Sequence, residues 1–384
     1  MSTIRPKAVY FFYYAALACI APFMSLYYQE LGMNGARIGI LSGLIPLVTW
    51  FSASFWSGIA DARQRHRAVL LLVIAGLWLS VVVLFFATGF PGLLLAVVLY
   101  AIFIGPIVPL VDNAVMAILG ENKTGYGRVR LWGSLGWGLS ALILGPILEQ
   151  AGLDWAFYGF LILMAVNFVV SSGLPMRLAD GVRPNYSAGL RVLGRNSRFL
   201  LLLMASLVFG ITLGVQLSYQ FLYLAELGAG HSLMAWSQTA MTLSEIPFWF
   251  ISAGLLRRFG ISRMIAFALA MATVRNLAMG MIGNPWWVLP ISLLHGPSFA
   301  VLYAAGVADA DASAPAGLGA TGQGLFSGMM FGLGSAVGGF FGGPAYEVIG
   351  FAALFTLLGW MTFGMLVVFV VARVLPRRRR AAAG

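Results

Sequence analysis

Gly145-Pro146-Ile147-Leu148-Glu149-Gln150-Ala151-Gly152 returns 198 residues later as Gly343-Pro344-Ala345-Tyr346-Glu347-Val348-Ile349-Gly350. The Gly-Pro, the Glu and the last Gly keep their places, and each stretch closes a long apolar run. Working outward, Glu30-Leu31-Gly32 returns as Glu226-Leu227-Gly228 and Gly58 as Gly254, both at an offset of 196, and Gly105-Pro106 as Gly296-Pro297 at 191. Landmarks in one order and at nearly one offset indicate a unit duplicated in tandem.

The unit is apolar. Of the 384 residues 60% are hydrophobic and 9% charged, with a mean hydropathy of +0.91, which excludes an ordinary soluble domain and a disordered chain. The chain resolves into about twelve apolar runs of roughly 20 residues, the length one helix needs to cross the hydrocarbon. Spans are expected near 8–29, 38–59, 68–88, 91–119, 128–150, 154–174, 198–227, 232–255, 263–283, 286–309, 318–345 and 350–373. The runs are too long for barrel strands. The expected fold is therefore an all-α integral membrane protein with 12 transmembrane helices in two pseudo-symmetric six-helix bundles. Residues 1–174 form the first bundle, 175–197 a cytoplasmic linker, and 198–384 the second bundle with its basic tail. Little chain is left for a soluble catalytic domain, so an enzyme is not expected.

The net charge of +11 resembles a nucleic-acid signal, but its distribution points to membrane lipid. If the N-terminus is cytoplasmic, every Lys and Arg except Arg37 and Arg275 falls on the cytoplasmic side, the tail Arg377-Arg378-Arg379-Arg380 included. That asymmetry puts both termini in the cytoplasm. Arg5 and Lys7 precede a first span with no small-residue cleavage site after it, which reads as a retained helix. A lone Cys19 excludes an intramolecular disulfide. His66 and His231, at span ends, are expected to face solvent, and no metal-ligand spacing or other cofactor motif is visible.

Five ionisable residues lie inside the spans: Asp112, Arg130, Glu245, Arg275 and His295. Such residues cost several kcal/mol when they face lipid and usually line a bundle interior or a watered cavity. Arg275 and His295 are each ten residues from the turn near Pro285, and Glu245 and Arg275 each fifteen from the turn near Gly260. At 1.5 Å per residue the three share one mid-bilayer layer. Asp112 and Arg130 are each nine residues from Glu121, a second pair at matched depth nearer the cytoplasmic side. A carboxylate beside an Arg is held between ion pairing and desolvation, so its proton affinity can depend on conformation. That makes Glu245, Arg275, His295 and Asp112 the candidates for coupling a proton to transport. The bland reading, static ion pairs that fix helix register and a satisfied imidazole, stays beside it.

Two parallel six-helix halves joined by a long cytoplasmic loop resemble the major facilitator superfamily, whose substrates bind near the midplane. Gly58-Ile59-Ala60-Asp61-Ala62-Arg63 resembles that superfamily's signature between its second and third spans, which implies a cytoplasmic latch built on Gly58, Asp61 and Arg63. The second copy, Gly254-Leu255-Leu256-Arg257, lacks the acid. Gly125-Tyr126-Gly127-Arg128-Val129-Arg130-Leu131-Trp132-Gly133 looks like the fifth-span entry of the oligosaccharide/proton symporters, the lactose permease branch, and the likeness runs along most of the chain. It implies a substrate site on Asp112, Arg130, Trp137, Phe248 and His295. The pattern departs from that branch where Phe248 stands for a sugar-bonding Asn and Ser298 for the acid one turn after His295. These changes look closer to the 3-phenylpropionate permease branch.

The expected function is a secondary active transporter, a proton-coupled symporter importing a small organic solute, with an aromatic or organic acid favoured. The alternatives are a sugar or nucleoside symporter, a drug/proton antiporter, and a membrane receptor that does not transport. The expected location is multi-pass in the cell membrane (the inner one in a bacterium), as a monomer, with the proton as coupling ion.

Overall fold

The computed structural model describes residues 3–119, 126–175, 193–314 and 319–374, and the Asp61 side chain is not among what it describes. The turn at Glu121, most of the expected linker and the Arg377–Arg380 tail lie outside the described residues.

Among the described residues twelve helices are long and apolar enough to cross a membrane: α1 (Ile4–Glu30), α2 (Gly35–Ala60), α3 (His66–Phe86), α4 (Gly89–Leu119), α5 (Gly127–Ala151), α6 (Asp154–Ser172), α7 (Ser197–Glu226), α8 (His231–Phe259), α9 (Ile261–Gly280), α10 (Pro285–Ser313), α11 (Thr321–Ile349) and α12 (Phe351–Arg373). A backbone in hydrocarbon has no water to bond and must satisfy itself, and a helix does so within one segment. Exposed side chains on these helices are correspondingly large and apolar, among them Phe51, Phe55, Phe86, Val169, Phe341 and Val348. The protein is an integral, multi-pass membrane protein.

The repeated glycines have repeated structural roles. Gly32 and Gly228 end α1 and α7 with φ of 76° and 81°. In each, the next residue's N–H reaches back past the glycine, Met33 to Tyr28 at 3.0 Å and Ala229 to Leu224 at 2.9 Å. Only glycine enters this left-handed C-cap without steric cost. Gly152 and Gly350 end α5 and α11 in the same region, at 89° and 78°. The sequence repeat is thus a repeat of helix stops.

Two of the spans, α4 and α10, are interrupted at the Gly-Pro pairs of the repeat. In α4 the helix stops at Ile104 and resumes at Ile107, on either side of Gly105-Pro106. In α10 a helical stretch ends at Ser292 and a π-helical turn covers Gly296–Ala300. Proline removes a backbone donor at each break.

By spatial proximity the chain divides into two compact units. The first comprises 1–181 with Leu217–Thr239 and Gly339–Gly343; the second comprises 182–216, Ala240–Gly338 and 344–384. These boundaries divide α7, α8 and α11 rather than following the expected halves.

In the first unit α1 lies on α5, where a Cβ at Gly136 would run into the Phe11 carbonyl. Gly43 Cα stands 2.8 Å from the place a Cβ of Gly339 would take. Glu149, at the end of α5, accepts from the Ser232 N–H at 3.0 Å in the first turn of α8, where a carboxylate complements the helix dipole. His66 is buried, against expectation. It heads the stripe His66, Val69, Leu70, Val73, Ile74 and Leu77 that α3 buries, so helical phase, not position at a span end, sets its exposure. His231 is only half-buried, its ring 6.2 Å from that of Phe23.

In the second unit α7 lies on α11, with Gly210 Cα 2.8 Å from a Cβ built at Gly334, and α9 lies on α12, where one built at Gly359 would stand 3.0 Å from the Leu277 nitrogen. Small residues let these backbones approach. Asp309, fully buried in α10, holds two arginines: Arg198 of α7 at 2.6 Å and Arg373 of α12 at 2.5 Å.

Candidate functional site

Each unit carries its own charged cluster. In the first, Asp112 and Arg130 are both tied to α1 through tyrosines one turn apart. Tyr10 Oη donates to Asp112 Oδ1. Arg130 Nη2 donates to Tyr14 Oη at 2.6 Å. The guanidinium also lies over the Tyr14 ring, 4.2 Å from its centroid, and 5.4 Å from that of Tyr10. Gly133, one turn beyond Arg130, makes room for this: a Cβ there would stand 2.7 Å from both Arg130 Nη1 and Tyr14 Cδ2. Trp137 follows Arg130 by seven residues, two turns of helix, so it shares that face of α5; it is half-buried.

In the second unit the residues of α8, α9 and α10 form a chain. His295 Nε2 stands 3.1 Å from Glu245 Oε1. On the other side of the ring, Nδ1 contacts Arg275 Nη1. Trp249 Nε1, one turn after Glu245, donates to Glu245 Oε2 at 3.4 Å. The pair expected between Glu245 and Arg275 is therefore bridged by His295. The order of donors follows. A guanidinium only donates, so Nδ1 accepts, Nε2 carries the proton, and Glu245 Oε1 accepts it.

Arg275 is 1% exposed, and its Nε and Nη2 have no hydrogen-bond partner among the described residues. Two buried donors without acceptors are unfavourable, at about 1–3 kcal/mol each. Glu245 keeps 16% of its side chain accessible. It is the most accessible of the three, ahead of His295 and Arg275.

Aromatic rings wall this cluster. His295 stacks on Phe299 with centroids 5.0 Å apart, Phe299 on Tyr303 at 6.1 Å, and Trp249 meets Tyr303 edge-on at 5.9 Å. Phe248 is half-buried and packs on the core of the second unit. Ser298, where the related branch carries an acid, is buried and bonds back to the His295 carbonyl at 3.0 Å. Of the expected latch, Gly58 and Arg63 are exposed and Gly58 has open space around it; the Asp61 side chain lies outside the described residues.

Sequence reasoning missed Tyr10, Phe299 and Tyr303. Helical spacing was the available signal, since Tyr10–Tyr14 and His295–Phe299–Tyr303 step by four residues and share a face.

Residues 3–357 match the MFS_1 like family. The chain belongs to this family of major facilitator superfamily transporters. A maltose permease of Geobacillus stearothermophilus is 27% identical over 95% of this chain and 93% of its own. A probable 3-phenylpropionic acid transporter of Escherichia coli is 24% identical over 77% of this chain and 79% of its own. Among solved structures, a mutant form of the nucleoside transporter NupG superposes with a TM-score of 0.84 at 16% identity, covering 96% of this chain and 99% of that one; the likeness is one of fold. The protein is thus a secondary transporter of a small molecule.

Proposed function

We propose that the protein is a proton-coupled symporter that imports a small organic anion, an aromatic acid above others, working by alternating access. The observation that carries the coupling is the order of donors from Arg275 through His295 to Glu245. With Glu245 ionised, every bond in that chain points toward its carboxylate. A proton arriving on Glu245 Oε1 turns the acceptor into a donor aimed at Nε2. His295 must then move its own proton to Nδ1, where it meets an N–H of Arg275. An N–H of Arg275 and the Nδ1–H of the neutral imidazole, both donors, cannot face each other, so Arg275 shifts or the proton leaves. Proton occupancy of Glu245 and the position of Arg275 are therefore linked, and a linked pair of states is what coupling requires. The unpartnered Nε and Nη2 of Arg275 give the guanidinium two further contacts to make when it moves.

Substrate binding falls to the other cluster. Arg130 presents a planar cation beside two tyrosine rings, which suits a carboxylate attached to a flat apolar body. The E. coli relative named for 3-phenylpropionic acid supports this reading. The Geobacillus relative named for maltose supports a second one, a sugar/proton symporter, since it matches nearly the whole chain. Titration calorimetry on the purified protein separates them: arylpropionates should bind at least about tenfold more tightly than disaccharides or nucleosides, the scale of one or two unpaired hydroxyl groups. Maltose binding with no heat from aromatic acids would select the sugar reading.

The same proposal has both termini cytoplasmic, with the basic side of the chain on anionic lipid, and a monomer as the working unit.

A further inference from the structure

α8 and α10 meet at one glycine. A Cβ on Gly296 would fall inside the van der Waals envelope of the Ser244 carbonyl oxygen and 2.9 Å from the Glu245 nitrogen. Both are backbone atoms of a helix and cannot step aside as a side chain would. The contact is also bonded: the Gly296 N–H donates to Ser244 Oγ at 2.8 Å, and Ser244 Oγ donates to the Met241 carbonyl at 2.7 Å. Gly296 directly follows His295, and Ser244 directly precedes Glu245. The touching backbones are thus the immediate neighbours of the side chains that meet at 3.1 Å.

Gly296 opens the π-helical turn, and Pro297 follows it. A π-turn admits an extra residue, re-aims the side chains beside it and is frequent at functional sites. We propose that Gly296 is a positioning residue. Its missing side chain sets the α8–α10 separation at which His295 Nε2 reaches Glu245. Its consequence for transport rests on the proton-coupling reading; its consequence for the imidazole does not.

The molecule contains a matched control. Gly105, the counterpart of Gly296 in the repeat, presses on α2 in the same manner: a Cβ there would collide with Ser52 Oγ and stand 2.6 Å from the Thr49 carbonyl. Its neighbours are Ile104 and Ala53 rather than a His and a Glu. Gly105→Ala therefore strains a helix contact of the same kind without touching the charged chain.

The test uses full-length protein with 15N-labelled histidine, whose three imidazoles are assigned by the signal lost in His295→Gln. The wild type should show His295 neutral, protonated at Nε2 and bare at Nδ1. Gly296→Ala should lose that signature, with Nε2–H exposed to exchange, while Gly105→Ala keeps it. In proteoliposomes with radiolabelled 3-phenylpropionate as probe, Gly296→Ala should lower accumulation driven by a pH gradient about tenfold or more, as misplacements near 1 Å do. Exchange at equal pH should stay within about twofold. Should Gly296→Ala fail to fold, Ser244→Ala removes the acceptor of the Gly296 N–H without adding bulk, and the same loss of signature is expected there. A wild-type His295 signal in folded Gly296→Ala, or in Ser244→Ala when the first variant does not fold, overturns the inference; so does equal loss in Gly105→Ala. If the wild type accumulates no probe, the coupling reading falls while the imidazole signal still decides Gly296.

Discussion

Arg130 can be tested apart from its charge, because its guanidinium lies over Tyr14 and bonds its hydroxyl at once. Arg130→Lys keeps the charge and gives up the planar fork and the stacking. It should weaken binding of an arylpropionate about tenfold, measured by calorimetry, whereas Tyr14→Phe keeps the ring and should lose less, about threefold. Equal loss in both would assign the effect to the hydroxyl instead. Counting residues from the turns put Glu245, Arg275 and His295 at one depth, and the structure joins them in one chain. Counting gives height along a helix and not rotation about it, so the order Arg275–His295–Glu245 could not be read that way. The π-turn at Gly296–Ala300 shifts the phase of α10 just after His295, and no composition signal announces it. Tyr10 escaped notice because a tyrosine bears no charge, although Tyr10-x-x-x-Tyr14 already faced one side of a helix.

The helices themselves were plain in the sequence, because hydrocarbon permits no other use of twenty apolar residues and glycine marks where several of them stop. Pro106 and Pro297 were legible as landmarks of the repeat, but their effect, a break in α4 and a π-turn in α10, depended on the contacts Gly105 and Gly296 make. The ends of α7, α10 and α12 are joined by Asp309, which accepts from Arg198 Nε at 3.1 Å and Nη2 at 2.6 Å as well as from Arg373. Asp309 is 0% exposed and Arg198 38%, so the members differ in weight. Asp309→Asn leaves Arg373 buried without its counter-charge and should destabilise the protein by about 3–5 kcal/mol. Arg198→Ala, with an exposed partner removed, should cost about 1 kcal/mol or less. Thermal unfolding in detergent would rank them, and a larger loss for Arg198→Ala would show that Asp309 does not anchor the three ends.

At the scale of the whole molecule, the distribution of Lys and Arg predicts which loops face the cytoplasm. In a Cys19→Ser background, Arg37→Cys should react with an impermeant maleimide added outside cells, and Gln64→Cys only after the membrane is opened; the reverse pattern would invert the topology. Both positions are exposed. The repeat and the spans were legible because they are properties of chain length and polarity. The partition into compact units was not, because segments such as Leu217–Thr239 join the first unit through contacts such as Thr239 Oγ1 to the Gly138 carbonyl at 3.0 Å, which no local pattern encodes. The central claim is that Glu245 carries the coupled proton. It is tested most directly by uptake of radiolabelled 3-phenylpropionate into proteoliposomes, with and without an imposed inward proton gradient, for the wild type and Glu245→Gln. The account predicts gradient-driven accumulation by the wild type, none by Glu245→Gln, and exchange at equal pH in both. Undiminished accumulation by Glu245→Gln would contradict it.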